Sequence, residues 1–278
     1  VLLIVIAIVF GLVIVVSRGL RSCHADNSTS HPTATPPIAQ TAVAPNKLYD
    51  NLYNWENLSQ DANGYLTYVV DGSVVSRTGI DVSEHQGDID WERVAANGID
   101  FAIIRIGYRS ADRGLIAKDA KAEQNLAGAK AAGLRVGVYF YSQAVNEAEA
   151  REEADFVINT LGSTELSYPL VFDFEQGNLD NERVSTMTSE QRTAVAVAFC
   201  EEAEARGARA LVYGSASALL EIDVEQLAPY GFWYAEYTNI PTSSLSFVLW
   251  QYSESGIVDG IDGPVDLDLD LTEVPHEE

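Results

Sequence analysis

From Gly79 onward, short apolar runs alternate with longer stretches of helical character. The runs GIDVS (79–83), FAIIRIGY (101–108), RVGVYFYS (135–142), PLVFDFE (169–175), ALVYG (210–214), FWYAEY (232–237), FVLWQY (247–252) and VDLDL (265–269) predict eight strands. Helices fit between the first five. Asp90 caps WERVAAN, which stops at Gly98. KDAKAEQNLAGAKAAG ends at Gly133 and NEAEAREEADFVINTLG at Gly162. Thr188 and Gln191 form a capping box before a helix that ends near Gly207. Strands alternating with helices of this length imply parallel βαβ units. The last three strands follow with little helix between them. Eight strands with about five helical crossovers predict an α/β chain closed into a TIM-like barrel with an irregular end.

The first 78 residues follow other rules. Residues 1–16, VLLIVIAIVFGLVIVV, hold no polar side chain. The run is slightly short of the ~20 residues that cross a bilayer. The chain opens on Val, which predicts further sequence upstream. Residues 1–17 are therefore expected to be a transmembrane or signal-anchor segment. The alternative is a cleaved signal peptide, with Cys23-His24-Ala25 before the cut. Residues 18–47 are rich in Ser, Thr, Pro and Ala with no apolar period, and read as a linker. In residues 48–78, YLTYVVDGSVVSR alternates around Asp71-Gly72, a strong hairpin signal, so a small β appendage is expected there. The barrel then covers 79–272, with an acidic tail at 273–278.

Charge excludes whole classes of partner. The 278 residues hold 17 Lys and Arg against 41 Asp and Glu, a formal charge of −24. The head contributes none of this excess, since Arg18, Arg21 and Lys47 outnumber Asp26 there. No nucleic acid is expected as partner, because phosphate binding needs concentrated cations. Two Cys, Cys23 and Cys200, have no evident reason to meet, so no structural disulfide is expected. No Cys/His cluster has zinc-ligand spacing. Only His85 lies near any motif, while His24, His31 and His276 sit in tails. A monomer is expected.

The chemistry of a β/α barrel sits at the C-terminal strand ends. In YPLVFDFEQG, Asp173 and Glu175 are two apart and share a face, while Phe172 and Phe174 point toward the helices. Two inward carboxyls suit acid/base work on a glycosidic bond. Repulsion and burial would keep one of them protonated. A structural ion pair with Arg105 is the plainer alternative. Asp81 in GIDVS, and Asp266 and Asp268 in VDLDL, are further inward acids. Such a mouth could hold a divalent metal, which makes a metal-dependent hydrolase a competing reading. Tyr139, Tyr141, Trp233, Tyr237, Trp250 and Gln251 frame the same ends, where aromatic rings can stack on sugars. Arg105 stands with them as a weaker candidate.

GIDVSEHQGDIDW, FAIIRIGY, GVYFYS, YPLVFDFE, FWYAEY, LWQYS and GPVDLDL resemble, in order and spacing, the family-25 glycoside hydrolases, the Chalaropsis-type lysozymes. The resemblance covers about residues 79–272. It implies an irregular barrel of five parallel βα units followed by three antiparallel strands. It implies hydrolysis of the β-1,4 bond between N-acetylmuramic acid and N-acetylglucosamine in peptidoglycan, with no cofactor and no metal. Carried across, the family's acidic cluster falls on Asp81, Asp173, Glu175 and Asp266. Glu175 would be the general acid, and Asp173 the nucleophile or the group that holds the substrate's acetamido. Asp268 stands where the family often has Asn, which leaves the choice between Asp266 and Asp268 slightly open. Location follows from the head: anchored in the cell membrane with the barrel outside, or secreted to the wall if the segment is cleaved. A non-catalytic wall-binding module would need the aromatics but not the acids.

Overall fold

The computed structural model describes residues 48–175 and 183–275. The apolar segment 1–17, the linker, Cys23 and the last tail residues, His276 included, lie outside the described residues. Among those described, no helix is long and apolar enough to cross a membrane.

Among the described residues, twelve strands form two sheets. Strands β1 (Leu58–Gln60), β2 (Leu66–Val70) and β3 (Ser73–Val74) make a small antiparallel sheet. The second sheet holds β4 (Arg77–Val82), β5 (Phe101–Arg109), β6 (Ile116–Lys118), β7 (Arg135–Tyr141), β8 (Leu170–Asp173), β9 (Ala210–Ser215), β10 (Phe232–Ala235), β11 (Leu249–Gly256) and β12 (Val265–Asp270). Its order is β4-β12-β11-β10-β9-β8-β7-β5-β6, and β4 also pairs with β5. That pairing closes eight strands into a barrel, with β6 alongside the far end of β5.

Helices cover the outside where the apolar pattern placed them. They are α1 (Trp91–Ala96), α2 (Ala122–Ala131), α3 (Glu147–Leu161) and α4 (Ser189–Ala205). Asp90 caps α1 by accepting from Arg93 N, and Thr188 with Gln191 forms the expected capping box of α4. Two single turns, α5 (Ala216–Leu219) and α6 (Val224–Leu227), serve the β9–β10 crossover. Cys200 is a buried, free thiol within α4.

The end of the barrel corrects the expectation of three antiparallel strands. β10 runs parallel to β9, and β11 parallel to β10. Only β12 is antiparallel, to both β11 and β4. The connection from β10 to β11, residues 236–248, is long enough for a parallel crossover without any helix. Absence of helix there had imitated a hairpin.

That missing helix explains the small sheet. Tyr234, Phe247 and Trp250 face outward from the β10–β11 region and would meet water. The appendage covers them: Trp55 stacks on Phe247 (centroids 6.0 Å apart) and packs edge-on against Trp250 (5.8 Å). Tyr53 Oη donates to Phe247 O at 2.7 Å, and Ser246 N donates to Leu48 O at 2.8 Å. The hairpin turn is the expected one, with Asp71 (φ 50°) and Gly72 (φ 78°) both in the left-handed region that a two-residue turn requires.

Inside the barrel, alternation sorts the chain. Phe101 and Ile103, Val171, Leu211, Trp233 and Leu249 point inward and fill the lower interior with Tyr168, which stacks on Phe101 at 4.4 Å. Gly79 is required beside them: a Cβ there would lie 2.1 Å from the Phe101 ring. One or two residues further up each strand, the inward positions turn polar.

Candidate active site

Above this apolar floor lies a cavity of about 310 Å³, open at the mouth. Its walls carry Asp81, Asp173, Glu175 and Asp266, the four acids of the sequence reading. Arg105, Tyr139, Tyr141, Trp233, Tyr237 and Gln251 line it too. Alternation accounts for most of this: Arg105 follows Ile103, Asp173 follows Val171 and Gln251 follows Leu249, each two places along its strand. Asp266 is the register partner of Asp81, and Asp173 of Tyr141. Because β12 runs downward from the mouth, its first acid, Asp266, reaches the cavity, and Asp268 lies a layer below.

Trp250 is the exception. It precedes the inward Gln251 on the same strand, so it must face outward. Its ring is fully buried under the appendage, and its Nε1 donates to Glu236 O at 2.9 Å. It is a packing residue, not a sugar platform. Trp233 lines the cavity but is itself only 2% exposed. Tyr139 and Tyr141 are half-buried and Tyr237 is 48% exposed, so these three present the larger ring surfaces.

Two lining residues escaped the sequence reading. Tyr213 follows the inward Leu211 by two, and the alternation of ALVYG carried that signal. Glu254 had none. The β11–β12 register shifts after Gln251, and alternation stops predicting faces there.

The polar groups form one connected chain. Gln251 Nε2 donates to Asp81 Oδ2 at 2.7 Å. Gln251 Oε1 accepts from Tyr213 Oη (2.8 Å) and Tyr237 Oη (2.9 Å). Tyr213 also reaches Glu175. While Glu175 is protonated it donates to Tyr213, Tyr213 to Gln251 and Gln251 to Asp81; once Glu175 ionises, the single Tyr213 hydroxyl proton turns to it and favours the anion. Arg105 is held off the acid pair by its own partners, with Nε on Asp119 (2.7 Å) and Nη2 on Glu84 (3.3 Å).

Burial raises the whole set. Asp173 lies well above the ordinary carboxylate range because it is desolvated and stands beside Glu175, while the Arg105 charge pulls the other way. Desolvation also raises Glu175, against the hydrogen bond from Tyr213. Asp266 is pushed up to about 6 by burial, then by Glu254 and Glu175. A cation acts on Asp173 and only a neutral hydroxyl on Glu175. The Arg105 charge and the Tyr213 hydroxyl thus each favour ionisation of one acid, and the two carboxyls compete for a proton.

The backbone at Asp173 is fixed from outside the barrel. Ser142 N donates to Asp173 O at 2.7 Å, and Ser142 Oγ donates to Glu153 at 2.6 Å. Arg109 Nε bonds Glu153 at 2.6 Å in the same buried network.

Tyr213→Phe gives an outcome that tests this wiring. Losing the donor removes a group that favours ionised Glu175, so its pKa rises further. A required acid then stays protonated longer, and the alkaline limb of the activity profile is expected to move to higher pH. An unmoved limb in a pH–rate series would break the Tyr213–Glu175 link.

A profile for glycosyl hydrolases family 25 matches residues 80–261. An autolytic lysozyme of Clostridium acetobutylicum is 29% identical over 191 residues, covering 68% of this chain and 54% of that protein. The chain thus spans about half the length of that relative. The bacterial lysozyme of Streptomyces coelicolor superposes with a TM-score of 0.57 at 25% identity, over 69% of this chain and 90% of that one. The modular autolysin LytC of Streptococcus pneumoniae, solved with a synthetic peptidoglycan ligand, superposes at 0.62. Its 24% identity, over 77% of this chain and 52% of the autolysin, shows the fold alone.

Proposed function

This chain belongs to glycosyl hydrolases family 25 and is a glycoside hydrolase, and on that premise we propose that it is a muramidase. Its substrate is the β-1,4 bond between N-acetylmuramic acid and N-acetylglucosamine in peptidoglycan. The observation that carries this reading is the Asp173–Glu175 pair, two inward acids on one strand end, with a cation acting on only one of them. The lysozyme relatives support the same substrate.

Glu175, neutral and at the mouth, gives its proton to the glycosidic oxygen as the bond to the anomeric carbon breaks. Asp173, ionised, faces the positive charge that develops on that carbon. It either attacks the carbon or holds the substrate's acetamido group while the acetamido oxygen attacks. Two positions along a strand separate the Cβ atoms by roughly 6–7 Å, a spacing that admits both routes. Ionised Glu175 then takes a proton from the water that completes hydrolysis. Tyr139, Tyr141 and Tyr237 offer ring faces to the sugars.

Mass spectrometry of digested peptidoglycan tests the bond. The expected products end in reducing N-acetylmuramic acid. Reducing N-acetylglucosamine ends, or glycan bound but uncut, would overturn the proposal. Activity lost to a chelator and restored by a divalent metal would favour the metal-dependent alternative.

We place the enzyme outside the cytoplasmic membrane, anchored through residues 1–17 or released if that segment is cut. Fractionation checks this: catalytic chain retained in the cytosol would contradict it.

A further inference from the structure

Asp268 lies one layer below the cavity and is fully buried. Its Oδ1 accepts from Trp233 Nε1 at 2.9 Å. Its Oδ2 is buried and meets no donor from the protein. Across the β12–β4 pair its carboxyl stands in hydrogen-bond contact with that of Asp81. Asp81 is also buried, and its Oδ2 is already taken by the Gln251 amide.

Nothing nearby supplies a counter-charge. Asp266, Asp173 and Tyr139 face Asp81, and Asp266 and Tyr252 face Asp268. Arg105, the one cation lining the cavity among the described residues, is bound to Asp119 and Glu84. Two touching, buried carboxyls without a cation cannot both ionise at neutral pH.

Hydrogen-bond accounting then places the proton. Asp81 accepts from Gln251 and lines the open cavity, so its charge is the better solvated of the two, whereas Asp268 is wholly enclosed. Asp268 Oδ2 is the atom left without a partner. We propose that Asp268 is held as the neutral acid and donates its proton from Oδ2 to the Asp81 carboxylate. The pair carries one negative charge and one proton, and Asp81 stays an anion bonded by Gln251 and by Asp268. Every buried polar atom named here except the second Asp81 oxygen's remaining lone pairs then has a partner.

The consequence reaches Glu175. An ionised Asp81 fixes which end of the Gln251 amide faces it. The other end, Oε1, then turns to Tyr213 and Tyr237, which sets the direction of the Tyr213 hydroxyl. While Glu175 is neutral, that hydroxyl accepts its proton. Asp268 is therefore a positioning residue that acts through Asp81. Burial and then the Asp266 charge raise its pKa, against the hydrogen bonds with Trp233 and Asp81. Its role in catalysis rests on the muramidase reading, but its protonation does not.

The test is Asp268→Asn, compared with the unaltered chain by two readouts that need no substrate. Asn can donate from Nδ2 to Asp81 and accept from Trp233 through Oδ1, as the neutral acid does. In protein carrying ¹³C-labelled Asp, side-chain NMR should show one carboxyl that is still neutral at neutral pH and is missing from the variant. Thermal melting across pH should differ as well. Folded Asp268 keeps a proton that the unfolded chain sheds above about pH 4. Its contribution to stability therefore declines as pH rises from there toward the folded pKa. The variant lacks that group, so its melting temperature should fall less over the same range. An Asp268 carboxyl that titrates in the ordinary range, an identical decline in both proteins, or a variant that does not fold would each overturn the proposal. Digestion products of the wrong type would sink the muramidase reading and leave both measurements as they are.

Discussion

Glu175→Gln is expected to lower kcat on peptidoglycan by about 10²- to 10⁴-fold, the usual contribution of a positioned general acid. Gln fills the same volume and can still bond Tyr213, but it has no proton to give to a leaving oxygen. On the proposed reading the rings of Tyr139, Tyr141 and Tyr237 carry binding, so KM should change little. A loss confined to kcat marks an interaction made in the transition state. Asp173→Asn should also be nearly inactive, because it removes the anion that faces the anomeric carbon. The two variants differ toward aryl glycosides with good leaving groups, which need little protonation: Glu175→Gln should recover on them and Asp173→Asn should not. Steady-state rates on peptidoglycan and on such a substrate decide the matter. Normal turnover by Glu175→Gln on peptidoglycan would end the assignment of this residue as the acid.

Trp250→Ala should act on stability and leave binding alone. The side chain is fully buried between the barrel wall and the appendage, packed against Trp55 and Tyr252. Removing a buried Trp costs about 3–5 kcal/mol. For a domain of this size that is a fall in melting temperature on the order of 10 °C. KM in the folded fraction should match the unaltered chain, since the ring points away from the cavity. A raised KM with an unchanged melting curve would return Trp250 to the sugar site. Starting the chain at Gly79 should destabilise it through the same layer, because Tyr53, Trp55 and Tyr68 would no longer cover Phe247 and Trp250. Calorimetry of both forms reads the two effects on one scale.

The acid pair was readable because a strand has a period of two. Val171 and Asp173 must share a face, and apolar neighbours on the other face say which side is the helical shell. The same rule, applied to ALVYG, would have found Tyr213. It also contained the answer for Trp250, which cannot share a face with Gln251. Aromatic clustering at strand ends had outweighed that rule. Glu254 lay beyond reach, since a register break uncouples face from position.

The sequence by itself determined the eight barrel strands, helices α1 to α4 with the caps at Asp90 and Thr188, the hairpin turn at Asp71-Gly72 and the inward acids. These depend on local periodicity, capping chemistry and left-handed backbone preference, which neighbouring residues dictate. Only the tertiary structure decided strand direction at the barrel's end, because a helix-free crossover and a hairpin look alike along the chain. It alone joined the appendage to β10 and β11, through contacts between residues nearly 200 positions apart. And it alone set Asp268 against Asp81, since which carboxyls must share a proton depends on burial and on the absence of a cation in three dimensions.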